Sequence, residues 1–381
     1  MEGWKEFLEE RERRDLLRRL SPSATRAPAV AVRDGREYVD FSSNDYLGLS
    51  SHPALVRAAK EALDRYGVGA GASRLMSGDL AVHHELEEAV AEFKGTESAL
   101  VFNSGYQANT GIVPALFGRN DGIFADQRCH ASQLDGALLS RAKLLRFRHN
   151  DPDHLSHLLG KHRAGFGRAL AMTESVFSMD GDRAPLVALF EASRRHRCHL
   201  MVDEAHATGV FGPDGRGCVE AAGLSGRVDL VMGTFSKALG GFGAYLAASR
   251  TVVEYLVNSA RSFIYTTALP PAVIAADLAA LRLCLAGETR GGELLERAEA
   301  FREALRAKGW TVGGESQIVP VVVGESARAV ALSKALAERG YLALPVRPPT
   351  VPEGAARLRF SLTAAHADRH LSGVAEALGA A

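Results

Sequence analysis

Short apolar segments alternate with longer amphipathic segments over most of the chain. The apolar segments are typical of buried strands, and the segments between them repeat apolar residues at helical spacing. Strands are predicted at residues 99–102, 122–125, 143–147, 169–173, 198–202, 230–232 and 244–247. This alternation predicts an α/β fold with a mostly parallel, doubly wound sheet covered by helices.

The pattern changes near Gly287. After it, a charged helix at 294–307 leads to strands at 318–323 and 357–360 around a helix at 327–339. We therefore predict a large domain over residues 51–286 and a smaller α+β domain over 287–381.

Residues 1–50 are predicted to form a separate N-terminal segment. It contains an amphipathic helix at 4–20, where arginines and glutamates alternate with apolar residues, and a strand at 37–41. The arginines of this helix are expected to form a solvated face, from which one of them could reach an anionic ligand.

The charge balance gives no reason to expect nucleic acid or an anionic membrane as a partner. Lysine and arginine total 45, and aspartate and glutamate also total 45. The cysteines lie far apart without metal-binding spacing, no signal peptide is recognisable, and no apolar stretch is long enough to cross a bilayer. We therefore expect a cytoplasmic protein without a metal site.

Two polar residues at predicted strand ends indicate the chemistry. Asp203 follows the strand at 198–202, and Lys237 follows the strand at 230–232 and precedes a glycine-rich run. Sheets of this kind bind ligands at the carboxyl ends of their strands. A lysine and an aspartate placed there are the pair that pyridoxal phosphate requires. The amine forms a Schiff base with the cofactor aldehyde, and the carboxylate keeps the pyridine nitrogen protonated.

A phosphate-binding loop of the Walker type is the main rival for a glycine-rich run beside a lysine. That motif places its glycines before the lysine and a serine or threonine directly after it. Here the glycines follow Lys237, and Ala238 is the next residue. Taken singly, a surface lysine and a helix-capping aspartate are the ordinary roles of such residues. The two residues together favour pyridoxal phosphate.

Residues at the ends of other predicted strands are candidate cofactor ligands. Ser104-Gly105-Tyr106 lies where a strand turns into a helix, so backbone N–H groups and the Ser104 hydroxyl are suited to a phosphate. His130 follows another strand end, where it could stack on a flat ring or remain a solvated loop histidine. Ser178 lies in a further polar strand exit and is a candidate donor, although the acids beside it could merely cap the next helix.

Motifs in order along nearly the whole chain resemble those of the α-oxoamine synthases. They are Ser-Asn-Asp-Tyr-Leu-Gly-Leu at 43–49, Ser-Gly-Tyr at 104–106, His-Ala-Ser at 130–132, Thr-Glu-Ser-Val-Phe-Ser-Met-Asp-Gly-Asp at 173–182, Asp-Glu-Ala-His at 203–206 and Thr-Phe-Ser-Lys at 234–237. The resemblance implies the aspartate-aminotransferase-like fold, which is fold type I of the pyridoxal-phosphate transferases. It also implies an enzyme that condenses an amino acid with an acyl-CoA, releases carbon dioxide, and works as a homodimer with shared active sites.

The resemblance also implies roles for individual residues. Lys237 is expected to hold the cofactor and then act as the base, His206 to bond to the cofactor's phenolic oxygen, and His130 to stack on its ring. Further donors to the cofactor are expected to be Ser104, Ser178 and Thr234, with Thr266 and Thr267 reaching the phosphate of the neighbouring subunit. Substrate contacts are expected from Arg18, Asn44, Thr350 and Arg359, of which the last would hold the amino-acid carboxylate.

The choice of substrate depends on Arg347-Pro348-Pro349-Thr350-Val351-Pro352. This stretch resembles family members that carry an arginine here, whereas glycine-using members have an uncharged or aromatic residue. The cation of Arg347 suits an acyl chain with a free terminal carboxylate, because arginine binds carboxylate through a two-pronged fork. The resemblance therefore implies condensation of L-alanine with pimeloyl-CoA. Members that use glycine with acetyl-CoA, or serine with palmitoyl-CoA, stay open as alternatives, as does an aminotransferase or lyase on the same fold.

Overall fold

The computed structural model describes residues 2–381, which form two compact units. The large unit consists of Leu49–Phe177 and Arg183–Gly292. The small unit consists of the residues through Gly48 together with Ser178–Asp182 and Glu293–Ala381. The division at residues 50 and 286 that the sequence suggested stays a prediction.

The strands and helices alternate along the chain much as the apolar pattern predicts. The strands are β1 (Thr25–Ala27), β2 (Val30–Arg33), β3 (Arg36–Asp40), β4 (Ser98–Phe102), β5 (Gly122–Asp126), β6 (Lys143–Phe147), β7 (Ala169–Glu174), β8 (His199–Asp203), β9 (Leu230–Thr234), β10 (Ala244–Ala248), β11 (Ile318–Gly324), β12 (Tyr341–Leu342), β13 (Pro345–Val346) and β14 (Ala356–Ser361). The α-helices are α1 (Glu2–Arg13), α2 (Pro53–Tyr66), α3 (Ala81–Lys94), α4 (Gly105–Leu116), α5 (Ala131–Ser140), α6 (Pro152–His162), α7 (Leu186–Arg195), α8 (Cys218–Ala221), α9 (Arg250–Ser259), α10 (Arg261–Ile264), α11 (Pro271–Leu285), α12 (Gly291–Ala307), α13 (Ser326–Glu338) and α14 (Asp368–Leu378). Among these helices of the described chain, none has the length and apolar character needed to cross a membrane.

The large unit is built on a seven-stranded sheet with the order β4-β10-β9-β8-β7-β5-β6. The strands from β9 to β6 run parallel, whereas β10 is antiparallel to both β4 and β9. The chain returns directly from β9 into β10, because an antiparallel neighbour needs no crossover helix. The predicted mostly parallel α/β sheet is confirmed.

The core of the large unit holds the strand ends in place. Strands β5 and β9 are buried at every position, as expected for strands that have helices on both faces. Side chains of the sheet pack with those of α4, α5 and α9 in a cluster that includes Leu100, Phe102, Ile112, Met232 and Leu256. Groups at the ends of β8 and β9 therefore stand on a closely packed support.

The small unit contains two further sheets, with the orders β1-β2-β3-β12 and β11-β14-β13. Its core includes Phe41, Phe301 and Phe360, whose ring centroids lie 5.6 to 6.4 Å apart. His366 stacks on Phe41 with 4.3 Å between the ring centroids. Burial lowers the pKa of His366 to about 3, so its ring packs as a neutral aromatic group.

The N-terminal helix is shorter than the predicted span of 4–20, because α1 ends at Arg13. Asp15 has a φ of 53°, and the N–H groups of Leu16 and Leu17 donate to the carbonyl oxygen of Arg11 at 2.8 and 3.1 Å. A residue with left-handed backbone and such back-folded hydrogen bonds is a common helix terminator. Arg18 therefore lies in an irregular segment after the helix.

Candidate active site

A cleft of about 190 Å³ opens at the carboxyl ends of β8 and β9 in the large unit. It is lined by Gly105, Tyr106, Asn109, His130, Ser132, Glu174, Asp203, Ala205, His206, Met232, Thr234, Ser236 and Lys237. Most of the residues predicted to bind the cofactor are in this set. The cleft also has the position that doubly wound sheets use for ligands.

Lys237 lies just beyond β9, with its Nζ 2.8 Å from Nε2 of His206. His206 is buried in the turn that follows β8. A protonated lysine has only donors, so His206 accepts through Nε2 when the amine is charged. The imidazole therefore orients the amine at the cleft.

The glycine-rich run after Lys237 is packed tightly against the rest of the large unit. Gly240 and Gly243 have φ values of 70° and 107°, which side chains rarely adopt, and a Cβ on Gly240 would lie 2.4 Å from the backbone nitrogen of Ser50. The N–H of Phe242 donates to Asp277 at 3.2 Å. Burial raises the pKa of Asp277 well above its ordinary value. This run is thus a structural turn that fixes the lysine segment.

Asp203 ends β8 and is connected to His130 by a chain of hydrogen bonds. Nδ2 of Asn109 donates to Asp203 at 3.1 Å and to Oγ of Ser132 at 2.9 Å. Oγ of Ser132 lies 2.7 Å from Nδ1 of His130. The carboxylate and the imidazole are therefore held in fixed positions by α4 and α5.

Sequence reasoning missed Asn109 as a site residue. Its signal was its position in α4, four residues after Gly105 and so on the same helix face. For His130, partial desolvation lowers the pKa, the charge of Asp203 opposes this shift, and the charge of Lys237 adds to it. A neutral His130 ring is suited to packing against a flat ligand.

Helix α4 begins at the cleft. Ser104 is its N-cap, and Oγ of Ser104 accepts the N–H of Gln107 at 3.2 Å. The N–H groups of a first helical turn have no intrahelical partner, and such groups bind phosphate. A Cβ on Gly105 would lie 2.9 Å from Cγ2 of Thr234, so only glycine allows α4 to approach β9 this closely.

The donors and acceptors of the cleft fit pyridoxal phosphate. Oγ1 of Thr234 is buried without a hydrogen-bond partner among residues 2–381, which indicates that a bound group supplies one. Asp203 offers a carboxylate to a pyridine nitrogen, Lys237 an amine to an aldehyde, and the start of α4 an N-terminus to a phosphate. The pyridine nitrogen, the aldehyde and the phosphate are all groups of pyridoxal phosphate.

Thr266 and Thr267 lie between α10 and α11. Nδ2 of Asn103 donates to Oγ1 of Thr266 at 3.3 Å and to the carbonyl oxygen of Thr267 at 2.8 Å. Asn103 directly precedes the Ser104 cap, so both threonines are tied to the start of α4. Their contact with the phosphate of a neighbouring subunit stays a prediction.

In the small unit, Arg359 of β14 lies in a hydrogen-bonded network. Its N–H groups donate to Oδ1 of Asn44 at 3.3 Å and to the carbonyl oxygen of Ser178 at 2.7 Å. It also donates to the hydroxyls of Ser361 and Tyr46. Burial raises the pKa of Tyr46, and the charge of Arg359 opposes this shift. Ser178 thus offers its carbonyl oxygen here, and the predicted role of its hydroxyl toward the cofactor stays untested.

The remaining predicted substrate residues also meet within the small unit. Nη2 of Arg18 donates to Oγ1 of Thr350 at 3.2 Å, and Arg347 donates to the carbonyl oxygen of Asp15. Partial burial lowers the pKa of Arg347, the charge of Asp15 opposes this, and the positive charge of Arg18 adds to it. We call Arg18 and Arg347 the arginine pair. Two neighbouring guanidinium groups favour an anionic ligand.

The family model for aminotransferase class I and II matches residues 36–378. The chain belongs to this family of pyridoxal-phosphate enzymes and, within it, to the α-oxoamine synthases that its motifs resemble. The predicted fold type I architecture is confirmed.

Several proteins of stated function are similar to this chain. The chain is 53% identical to the 8-amino-7-oxononanoate synthase of Geobacter sulfurreducens over 359 residues, which cover 93% of this chain and 92% of that protein. The 8-amino-7-oxononanoate synthase structure from Francisella tularensis is 32% identical, with a TM-score of 0.77 and coverage of 90% of this chain and 96% of that one. The serine palmitoyltransferase structure from S. paucimobilis, with a bound PLP–myriocin aldimine, is also 32% identical, with a TM-score of 0.92 and coverage of 99% and 96%. The two structures share the fold and have the same sequence identity to this chain, so this likeness does not by itself separate their substrates.

Proposed function

We propose that the chain condenses L-alanine with pimeloyl-CoA, or another pimeloyl thioester, to give 8-amino-7-oxononanoate in biotin biosynthesis. A bond forms between the α-carbon of alanine and the thioester carbonyl carbon, the carbon–sulfur bond breaks, and the alanine carboxyl group leaves as carbon dioxide. One proton is taken up in the overall reaction. The proposal is carried by the cleft that joins Lys237, Asp203 and a helix N-terminus, in a chain 53% identical to an 8-amino-7-oxononanoate synthase.

Each residue of the cleft then has a chemical task. Bound pyridoxal phosphate supplies an aldehyde that links to amines and a ring that takes up the electron pair left on a substrate carbon. Asp203, fixed by Asn109, holds a proton on the ring nitrogen. Nζ of Lys237 removes the α-proton of alanine and later returns a proton, because general bases act within hydrogen-bond reach. His206 orients that amine, and His130 packs on the ring.

The small unit is proposed to bind the two carboxylates of the substrates. Arg359 would bind the carboxylate of alanine, beside Asn44, since a guanidinium fork matches a carboxylate. The arginine pair and Thr350 would bind the distal carboxylate of the pimeloyl chain. The nearby like charges support this assignment, because an anion would relieve their repulsion.

We also propose that the enzyme works as a homodimer in the cytoplasm. The glycine-rich segment at 67–78 exposes Val68, Leu75 and Met76 at 82, 50 and 79%, which is a surface that a second copy would cover. Thr266 and Thr267 would then contribute to the neighbouring phosphate site. Light scattering of the purified protein tests the dimer. The cysteines are buried free thiols, as expected in a reducing compartment.

A thiol-release assay tests the reaction. Alanine, glycine and serine are each combined with pimeloyl-, acetyl- and palmitoyl-CoA, and free CoA and carbon dioxide are measured. We expect the highest release with alanine and pimeloyl-CoA. Highest release with glycine and acetyl-CoA, or with serine and palmitoyl-CoA, would assign one of the other family reactions. Transfer of the amino group without CoA release would indicate an aminotransferase.

A further inference from the structure

A fully buried ion pair joins the end of α3 to the turn that follows β8. Nζ of Lys94 lies 2.8 Å from Oε2 of Glu204, and the two side chains are 3% and 0% exposed. The same ammonium donates to Oγ1 of Thr208 at 3.0 Å and to the carbonyl oxygen of Arg216 at 2.5 Å. Burial by itself would lower the pKa of Lys94, but the charges and hydrogen bonds of Glu204 and Tyr245 together outweigh it and hold the pKa above its ordinary value. Glu204, Thr208 and Arg216 thus provide acceptors for all three hydrogens of the ammonium.

Glu204 is fixed through both its side chain and its backbone. Its Oε1 accepts the N–H of Val219 at 2.8 Å, and a Cβ on Gly217 would lie only 2.3 Å from its Oε2. Its own N–H donates to the carbonyl oxygen of Met232 at 2.7 Å, and its carbonyl oxygen accepts the N–H of Thr208 at 2.9 Å. Glu204 thus links the ion pair to the backbone of the turn at residues 203–208. Two of the cofactor residues belong to this turn.

The same group of side chains also reaches the strand that leads to Lys237. Oγ1 of Thr208 lies 2.8 Å from the hydroxyl oxygen of Tyr245 in β10. The Tyr245 ring packs on Phe235, with 5.2 Å between the ring centroids, and a Cβ on Gly233 would lie 2.2 Å from the Tyr245 hydroxyl. Gly233 and Phe235 are the neighbours of Thr234 in the chain. We call Lys94, Glu204, Thr208 and Tyr245 the Lys94 cluster.

Stability alone gives a weak reason for such a pair. Two buried charges lose their hydration, and replacing a whole buried ion pair by uncharged residues of similar volume often leaves stability unchanged or higher. We propose that Lys94 and Glu204 are positioning residues for the cofactor site. Through the 203–208 turn they set the carboxylate of Asp203 and the imidazole of His206 toward the cofactor and Lys237. This inference rests on the proposed function, since it assigns the pair to the pyridoxal-phosphate site.

The test uses the double variant Lys94→Met/Glu204→Gln. Lys94→Met alone would leave a buried carboxylate without its counter-charge and is expected to fold poorly. In the double variant, the side-chain amide oxygen introduced at position 204 can still accept the N–H of Val219. The measurements are the melting temperature, the dissociation constant for pyridoxal phosphate added to cofactor-free protein, the pH titration of the visible absorbance, and kcat and KM. Wild-type protein is measured first, so a wild type that fails to bind the cofactor would contradict the proposed function itself.

We expect the double variant to melt within a few degrees of wild type. Its affinity for pyridoxal phosphate should fall about tenfold, the midpoint of the absorbance titration should move, and kcat should fall about ten- to a hundredfold with an unchanged KM for the acyl-CoA. The control is Arg168→Met/Asp121→Asn, which removes a 3.0 Å ion pair with a partly exposed arginine beside the amino end of β5 in the same unit. It should leave the cofactor affinity and the titration as in wild type. An unaltered affinity and titration in the Lys94 double variant would overturn the proposal. It would also be overturned if both double variants lost cofactor affinity in the same proportion to their loss of melting temperature.

Discussion

The two regions proposed to bind ligands are built differently. In the large unit, cofactor residues stand at buried strand ends and are joined by short hydrogen bonds, such as the one between Lys237 and His206. In the small unit, the arginine pair lies on an irregular segment and a loop, and Thr350 is exposed. Groups on strands are held by the core, whereas groups on loops change with little effect on the fold. We call the cofactor cleft of the large unit the fixed region, and the arginine pair with Thr350 the variable region. We infer that the chemistry depends on the fixed region and the acyl preference on the variable region.

The largest expected effect comes from Lys237→Ala at the fixed region. Loss of a general base alone lowers rates about 10²–10⁴-fold, and the covalent link to the cofactor is lost as well. We expect no measurable turnover and no covalent bond between the protein and the cofactor. Borohydride reduction of wild type followed by peptide mass spectrometry should find the cofactor on the peptide containing Lys237. Finding it on another peptide would contradict the assignment.

A smaller but still large effect is expected from Asp203→Asn. The neutral amide cannot hold the proton on the ring nitrogen, so stabilisation of the charge on the α-carbon should fall by about 3–5 kcal/mol, as when a buried ion pair is broken. Cofactor affinity should fall less, because the phosphate contacts remain. The measurement is exchange of the alanine α-proton in heavy water. A rate close to that of wild type would remove Asp203 from the mechanism.

At the variable region, Arg347→Ala should raise the KM for pimeloyl-CoA. The expected loss is about 1.5–3 kcal/mol, the range for a hydrogen bond to a charged group. An acyl-CoA of similar length without a terminal carboxylate should be affected much less. Equal losses for both would mean that Arg347 orders its loop or contacts the CoA part.

Arg14→Ala is the matched control for Arg347→Ala. Arg14 pairs with Glu353 at 3.3 Å on the exposed surface, and such pairs contribute about 0–1 kcal/mol. Its removal should leave the KM for both acyl-CoA compounds unchanged.

The smallest expected effect is a change in stability from Asp277→Asn beside the lysine segment. Burial raises the folded-state pKa of Asp277 well above the unfolded value, so the native protein loses stability as the pH rises from the unfolded pKa towards the folded one. Asparagine still accepts the N–H of Phe242 and does not ionise. The variant should therefore melt a few degrees higher than wild type at pH 8, and the two curves should converge near about pH 4. A variant that melts lower at pH 8 would show that Asp277 is ionised and favourable.

The sequence places Asp203 and Lys237 at strand ends because the signals for both are local. Asp203 and Lys237 each follow a short apolar run, and a run of that kind ends at the edge of a sheet where ligands bind. The order of the motifs along the chain then assigns the fold. The antiparallel direction of β10 leaves no such local signal, since its five apolar residues fit either orientation.

Contacts over long separations were not predictable in the same way. Lys94 is the last residue of a helix, where a lysine ordinarily faces water and the helix dipole. Its partner Glu204 is 110 positions away, and only the folded sheet brings them together. The prediction of where α1 ends was wrong for a different reason. The apolar spacing continues past Arg13, but the left-handed backbone at Asp15 turns the chain.

The return from β9 to β10 restricts how the Lys237 segment moves. Residues 235–243 form a short connection between two strands that pair along their length. The entropy lost when a loop is closed rises with the logarithm of its length, so a short connection leaves little conformational freedom to be lost. A parallel neighbour would have required a crossover of about a dozen residues or more. We expect the amides of this segment to exchange with solvent as slowly as those of the sheet, even before any cofactor is added. The cofactor would then enter a site that is already formed, and its arrival would not have to supply the free energy of ordering a loop.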